Sequence, residues 1–259
     1  MRVSIITACY NRAATIGEAL QSVAAQTHDD IEHIVVDGGS TDGTLEVLER
    51  HRAALAKFIP GPDQGLYDAL NKGVAAASGD IVGFLHADDL YARDDVIAAV
   101  VERMQSQSLD ALYGDVAFVR AHDVGAVVRR YSSRRFHPAR IAWGWMPAHP
   151  ALFLRRAVYR QHGAFKTDYR IAADFEFVAR IFSTGTLRYA YLPQVLVKMR
   201  LGGVSTRGWR STLTLNREVM RACRENGIAT NYFKILSKYP AKALEFIVRP
   251  GGAAAQDRR

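Results

Sequence analysis

The sequence predicts an α/β fold, a mostly parallel sheet flanked by helices with a helical extension at the C-terminus. Three observations carry that expectation. Short apolar runs alternate with amphipathic segments of helical period over the first 115 residues, the pattern of a sheet with crossover helices. Those runs are apolar throughout rather than on alternate residues, as in strands covered on both faces. Carboxylates gather just past the strand ends, where open α/β sheets bind their ligands.

Val3–Ala8 reads as the first buried strand, and residues 16, 19, 20, 23 and 24 set a helix over Ile16–Gln26. Ile31–Val36 is a second strand, followed by a helix over Asp42–Arg50 and a short strand at Lys57–Pro60. Leu66–Ala77 is helical, Ile81–Leu85 a fully apolar strand, Val96–Met104 a helix and Ala111–Gly114 a strand. The ligand-facing residues of such a sheet are then Cys9–Arg12, Asp37–Asp42 and His86–Asp89. Beyond Gly114 the alternation stops. Val116–Arg120 and Val127–Tyr131 suggest a hairpin, and Arg134–Trp145 is basic and aromatic. Ala172–Ser183, Gly208–Gly227 and Tyr232–Val248 read as helices, and the small, polar tail from Gly251 as disordered.

With 49% apolar and 23% charged residues, the 259-residue chain has the composition of a globular protein with a substantial core. Lys and Arg exceed Asp and Glu by 34 to 26, a net charge of +8. That balance suits a phosphorylated small molecule or anionic lipid as well as nucleic acid, and no nucleic-acid-binding motif accompanies it. Two distant cysteines, Cys9 and Cys223, argue against a disulfide framework or a zinc site. No apolar run reaches the length of a membrane span or a signal-peptide core. A reducing cytoplasm is the expected location.

Three segments carry chemistry. In VVDGGSTDGT (residues 35–44) a strand ends in Asp37, and a glycine-rich turn leads to a helix. The carboxylate suits a base N–H or a ribose hydroxyl, yet the same pattern makes an ordinary connection with Asp42 as the helix cap. In FLHADD (residues 84–89) two adjacent carboxylates follow a buried strand. Their repulsion invites a hard divalent cation shared with a diphosphate, and a cluster at a helix start is the alternative. DQGLYDALNKG (residues 63–73) reads equally as a capped amphipathic helix.

Together with TACYNR (residues 7–12), these motifs, in this order, resemble the family 2 glycosyltransferases of the GT-A (Rossmann-like) fold. DQGLYDALNKG is similar to a signature of a bacterial exopolysaccharide and glycolipid branch. The resemblance covers about residues 1–205 and implies a catalytic domain there, with residues 1–115 binding the nucleotide sugar and 116–205 carrying acceptor and base. Residues 206–250 would form C-terminal helices and 251–259 a disordered tail.

The resemblance also implies roles. Thr7, Tyr10 and Asp37 would contact the base, Asp63 the nucleotide, and Arg12 and Lys72 phosphate. Asp88 would meet the ribose or the metal, and Asp89 would ligate Mn2+ or Mg2+. Asp174 matches the family's catalytic acid, although Ala173 replaces the usual Glu and Glu176 is a rival. His86-Ala87 stands where relatives have Asn-Ser or Asn-Ala. His149 could hold acceptor or diphosphate or simply pack, and Leu201–Ser205 suits a loop near the donor. The chain lacks the QxxRW motif of processive relatives, which points to single transfer.

The expected activity is thus inverting transfer from a nucleotide-sugar donor, UDP by default, to a glycan or lipid-linked acceptor. A basic amphipathic segment over residues 231–250 could touch the inner face of the plasma membrane. A sugar nucleotidyltransferase is disfavoured, because TACYNRAAT is not its glycine-rich phosphate loop. A non-catalytic nucleotide-sugar-binding module is disfavoured by the intact Asp88, Asp89 and Asp174.

Overall fold

The apolar runs assemble into one continuous sheet. Its strands are β1 (Val3–Cys9), β2 (Ile31–Asp37), β3 (Lys57–Pro60), β4 (Ile81–Phe84), β5 (Asp89–Tyr91), β6 (Ala111–Arg120), β7 (Asp123–Tyr131), β8 (Leu152–Arg155) and β9 (Tyr189–Arg200). The helices are α1 (Ile16–Ala24), α2 (Thr44–Arg50), α3 (Leu66–Ala76), α4 (Val96–Ser106), α5 (Arg156–His162), α6 (Ala173–Phe182), α7 (Gly208–Glu225) and α8 (Tyr232–Leu236). This computed structural model describes residues 1–202 and 208–237. The expected segment 238–250, the tail 251–259 and most of the Leu201–Ser205 loop lie outside them.

The sheet runs β3-β2-β1-β4-β8-β6-β9-β5, with β7 also on β6. From β3 to β4 it is parallel, as expected. Beyond β4 it is mixed, which corrects the expectation for the second half. β8 is antiparallel to both neighbours, β5 is antiparallel to β9, and β6 runs parallel to β9. Three strands escaped the sequence reading for physical reasons. β5 has only 3 residues and β8 only 4, too few for a period. β9 contains Pro193, which argues against a strand interior. Here the proline falls where the β6–β9 register shifts, between the Tyr113↔Tyr191 and Asp115↔Val195 pairs.

Alternate residues of β1 serve opposite faces. Ile6 and Ala8 join a core with α3, α5, α6 and α7, whereas Val3 and Ile5 join one with α1 and α4. The C-terminal helix is part of the first core: Val219, Met220, Ala222 and Cys223 pack with Phe175, Val178 and Phe182. Helix α2 begins later than expected. Its cap is Gly43 at φ +93°, a conformation that favours glycine, rather than Asp42. Among the described residues no helix is long and apolar enough to cross a membrane.

Candidate active site

Register brings the parallel strand ends level, since Cys9 pairs with Asp37 and Asp37 with Pro60. The site grows from these ends. Asn11 donates its N–H to Ser40 and accepts from the Thr41 amide through its side chain. The Arg12 amide donates to Thr44 Oγ1, and the Ala13 amide to Asp42. The Ser-Thr-Asp run therefore laces the first loop to the second. Asp37 is fully buried and anchors the turn: Oδ1 accepts from the Gly39 and Ser40 amides, and Oδ2 from the Ser40 hydroxyl at 2.5 Å. Thr7 is also buried, its Oγ1 3.0 Å from His33 Nε2. Burial lowers the His33 pKa to about 4, so this imidazole is neutral at pH 7.

Accessible groups at this edge include Tyr10, which is 58% exposed, Thr41 and Asp42, with Asp63 half-buried. Asp63 lies directly over Gly38, where any side chain would collide with its carboxylate. It accepts from the Gly65 amide. The Arg12 guanidinium donates to its neighbour's carbonyl at Asn11. Lys72 is held by Asp68 at 3.0 Å and by the Pro62 carbonyl at 3.0 Å, which points it along its own helix.

Asp88 and Asp89 leave β4 and turn into β5. This excludes the helix-start reading of the pair, because Asp89 opens a strand paired with Met199. Arg200 grips the turn, donating to the Asp88 carbonyl at 2.9 Å, to Glu18 at 2.7 Å and to the Ala121 carbonyl. Asp89 is 2% exposed, and its Oδ2 has no hydrogen-bond partner. Burial first, and Asp88 next, push its carboxyl well above the usual carboxylate range. A buried, unpartnered carboxylate oxygen beside a second carboxylate fits a divalent cation. Among the described residues no group of three or more His, Cys, Asp or Glu side chains could hold an ion. Mn2+ or Mg2+ here would complete its shell with diphosphate oxygens and water, as Mg2+ commonly does.

Asp174 lies in the first turn of α6. Burial raises its pKa to about 6, against the lowering effect of the Phe175 amide and the Tyr67 hydroxyl. Tyr67 comes from the DQGLYDALNKG helix, and its OH donates to the Ile171 carbonyl at 2.5 Å and to Asp174 at 3.4 Å. Aromatic contacts link the two acidic centres: His86 to His149 at 5.9 Å, His149 to Phe165 at 5.5 Å, and Phe165 to Tyr67 at 5.9 Å between centroids. His149 stacks on Phe84, and burial, followed by His86, lowers its pKa to about 3. An open cavity of about 280 Å³ lies beside Tyr67, lined by Gln64, Leu66, Thr167 and Arg170 among others.

Glu176, the rival base, is fully buried in ion pairs with Lys166 and Arg180 and accepts from Asn226. It secures α6 to α7 and has no free face for an acceptor. Tyr67, Arg200 and Glu218 escaped the sequence reading. So did Asp115, a buried carboxylate bound by Arg130, Tyr191 and the Ser133 amide. Its one visible signal was an acid inside an apolar strand.

A parallel first half with acid-bearing strand ends, continuing into a mixed sheet flanked by helices, is the architecture of the GT-A glycosyltransferases. Solved structures share the fold. S. aureus TarS in complex with UDP superposes with TM-score 0.67 at 20% identity, over 86% of this chain and 65% of that one. The mannosyltransferase PcManGT from Pyrobaculum calidifontis, in complex with GDP-Man and Mn2+, gives 0.62 at 22% identity, over 97% and 76%. The model of glycosyl transferase family 2 matches residues 4–163, and the chain belongs to that family. A PGL/p-HBAD biosynthesis glycosyltransferase of Mycobacterium tuberculosis is 34% identical over 210 residues, 78% of each chain. An uncharacterized glycosyltransferase of the same species is 35% identical over 184 residues, covering 69% of this chain and 68% of that one.

Proposed function

We propose that this glycosyltransferase moves a sugar from a UDP-sugar to a hydroxyl of a glycan or lipid-linked acceptor, with inversion, in polysaccharide or glycolipid synthesis. The observation that carries this reading is Asp174, a half-buried carboxyl with its pKa raised to about 6, hydrogen-bonded by a tyrosine from the donor-motif helix. Such a group is mostly ionised at pH 7 and a stronger base than an exposed aspartate. It takes the proton of the acceptor hydroxyl as that oxygen bonds to the anomeric carbon and the bond to the diphosphate breaks. One displacement inverts the centre. Thr7, Tyr10 and Asp37 lie towards the base and Asp63 towards the nucleotide, with Asp37 also anchoring the turn through the Gly39 and Ser40 amides. Arg12 lies at hand for phosphate, whereas Lys72 is engaged by Asp68 and the Pro62 carbonyl. Asp89, with Asp88, would hold Mn2+ or Mg2+, and that ion when bound stabilises the charge of the leaving diphosphate.

The PGL/p-HBAD relative supports an acceptor of glycolipid class. Tyr232 and Leu236 are exposed on α8 and Phe233 is 78% exposed, which with Lys234 suits peripheral contact with anionic lipid. The deciding experiment is a thermal-shift screen of nucleotide sugars with Mn2+, followed by UDP release. A UDP-sugar should raise Tm by mass action and be turned over only with metal. Full turnover in excess chelator would sink the metal role.

A further inference from the structure

We infer that Glu218, on the C-terminal helix α7, is a positioning residue that holds the catalytic Asp174 in place. The inference rests on the reading of Asp174 as base. Three successive amides, those of Arg170, Ile171 and Ala172, lead into α6, whose cap residue is Ala172. The Glu218 carboxylate takes all three. Oε1 accepts from Arg170 at 2.8 Å, and Oε2 from Ile171 at 2.9 Å and Ala172 at 2.8 Å. Ile171 is thereby pinned at both ends of its backbone, its amide by Glu218 and its carbonyl by Tyr67.

Neighbouring contacts extend the same hold. Arg221 pairs with Asp168 and stacks on Tyr169, and Glu225 binds Lys166 and Tyr169. The segment before the base is thus gripped by α3 from one side and α7 from the other. Helix α7 lies wholly beyond residues 4–163, the extent of the family match. It is a working part of the active site as well as a support for the core. A base misplaced by an ångström forfeits most of its advantage, so loss of this hold should act on turnover more than on donor binding.

The test compares E218A and E218Q with wild type and D174N, each checked for fold by circular dichroism. Turnover is UDP released from UDP-glucose, UDP-galactose and UDP-N-acetylglucosamine with Mn2+, and donor-site integrity is the Tm shift given by UDP. E218A should lower kcat roughly tenfold or more while the UDP shift is retained. E218Q, which keeps one acceptor oxygen, should recover part of the loss. The groups facing Asp174 are Tyr67 from α3 and Glu218 from α7, so E218Q should also move the acid limb of kcat to lower pH by removing a negative charge. In a D174N background E218A should add less than about a twofold loss, since the two act as one unit. Wild-type kcat and acid limb in a folded E218Q, or an equal loss from E218A with and without Asp174, overturns the inference. Wild-type turnover in D174N overturns the base reading itself. An inactive D174N beside a fully active E218A overturns the inference alone.

Discussion

The turn at the edge of the proposed donor half and the helix of the proposed acceptor half hold their carboxylates differently. In the donor half, Asp37 and Asp42 are satisfied within a few residues or by the adjacent loop. In the proposed acceptor half, Asp174 and Glu176 draw partners from distant elements, Tyr67 for Asp174 and Asn226 for Glu176. The turn proposed to meet the donor is therefore folded locally. The proposed acceptor half is a tertiary assembly whose chemistry exists only once the chain has closed.

The sharpest way to break that contrast is D174N. General bases contribute about 10²- to 10⁴-fold, so kcat should fall by that order while the UDP-induced Tm shift survives. Retention of near wild-type UDP release would leave the acceptor half without its base. The pH dependence comes next. Asp174 acts as the ionised form, so kcat should decline below about pH 6, reaching roughly a tenth of its plateau near pH 5. Stability should run the opposite way. A carboxyl whose folded pKa is raised favours the folded state when protonated, so this contribution is lost as pH rises from about 4 towards 6. D174N should accordingly be the more stable protein at pH 8, and urea titration at pH 5 and pH 8 measures the difference.

Y67F follows. It removes the donor to the half-buried Ile171 carbonyl, which costs about 0.5–1.5 kcal/mol of stability, and it should lower kcat several-fold with little change in donor KM. A change confined to donor KM would move Tyr67 from the base to the nucleotide. The smallest effect belongs to the donor half. Lys72 is engaged with Asp68 at i,i+4 spacing, a pairing worth about 0.3–0.5 kcal/mol when exposed. K72A should change donor KM less than about twofold, and a tenfold rise would show that the side chain leaves Asp68 for phosphate.

Legibility in the sequence follows the same division. The parallel strands and the three acid-bearing edges could be read because each is encoded within some ten residues of chain. Asp174 could be proposed only through the resemblance, and Tyr67 not at all, since its hydrogen bond to Ile171 spans 104 residues. Arg200 reaches Asp88 across 112, and no periodicity registers such a distance. The mixed order of the second half was hidden by strands too short, or too interrupted by proline, to announce themselves.

The placement of β8 has a consequence for anyone who would exchange specificities between such enzymes. A strand from late in the chain, Leu152–Arg155, is wedged between β4 and β6, in register with Val82 on one side and Ala111 on the other. A chimera joined near residue 115 would cut β6, which spans Ala111–Arg120, through its middle and place a foreign β8 against native edges. The two parts of the chain that meet at this seam are therefore not separable cassettes. A graft that respects this seam has to carry β4, β6 and β8 from one parent and vary only the loops between them.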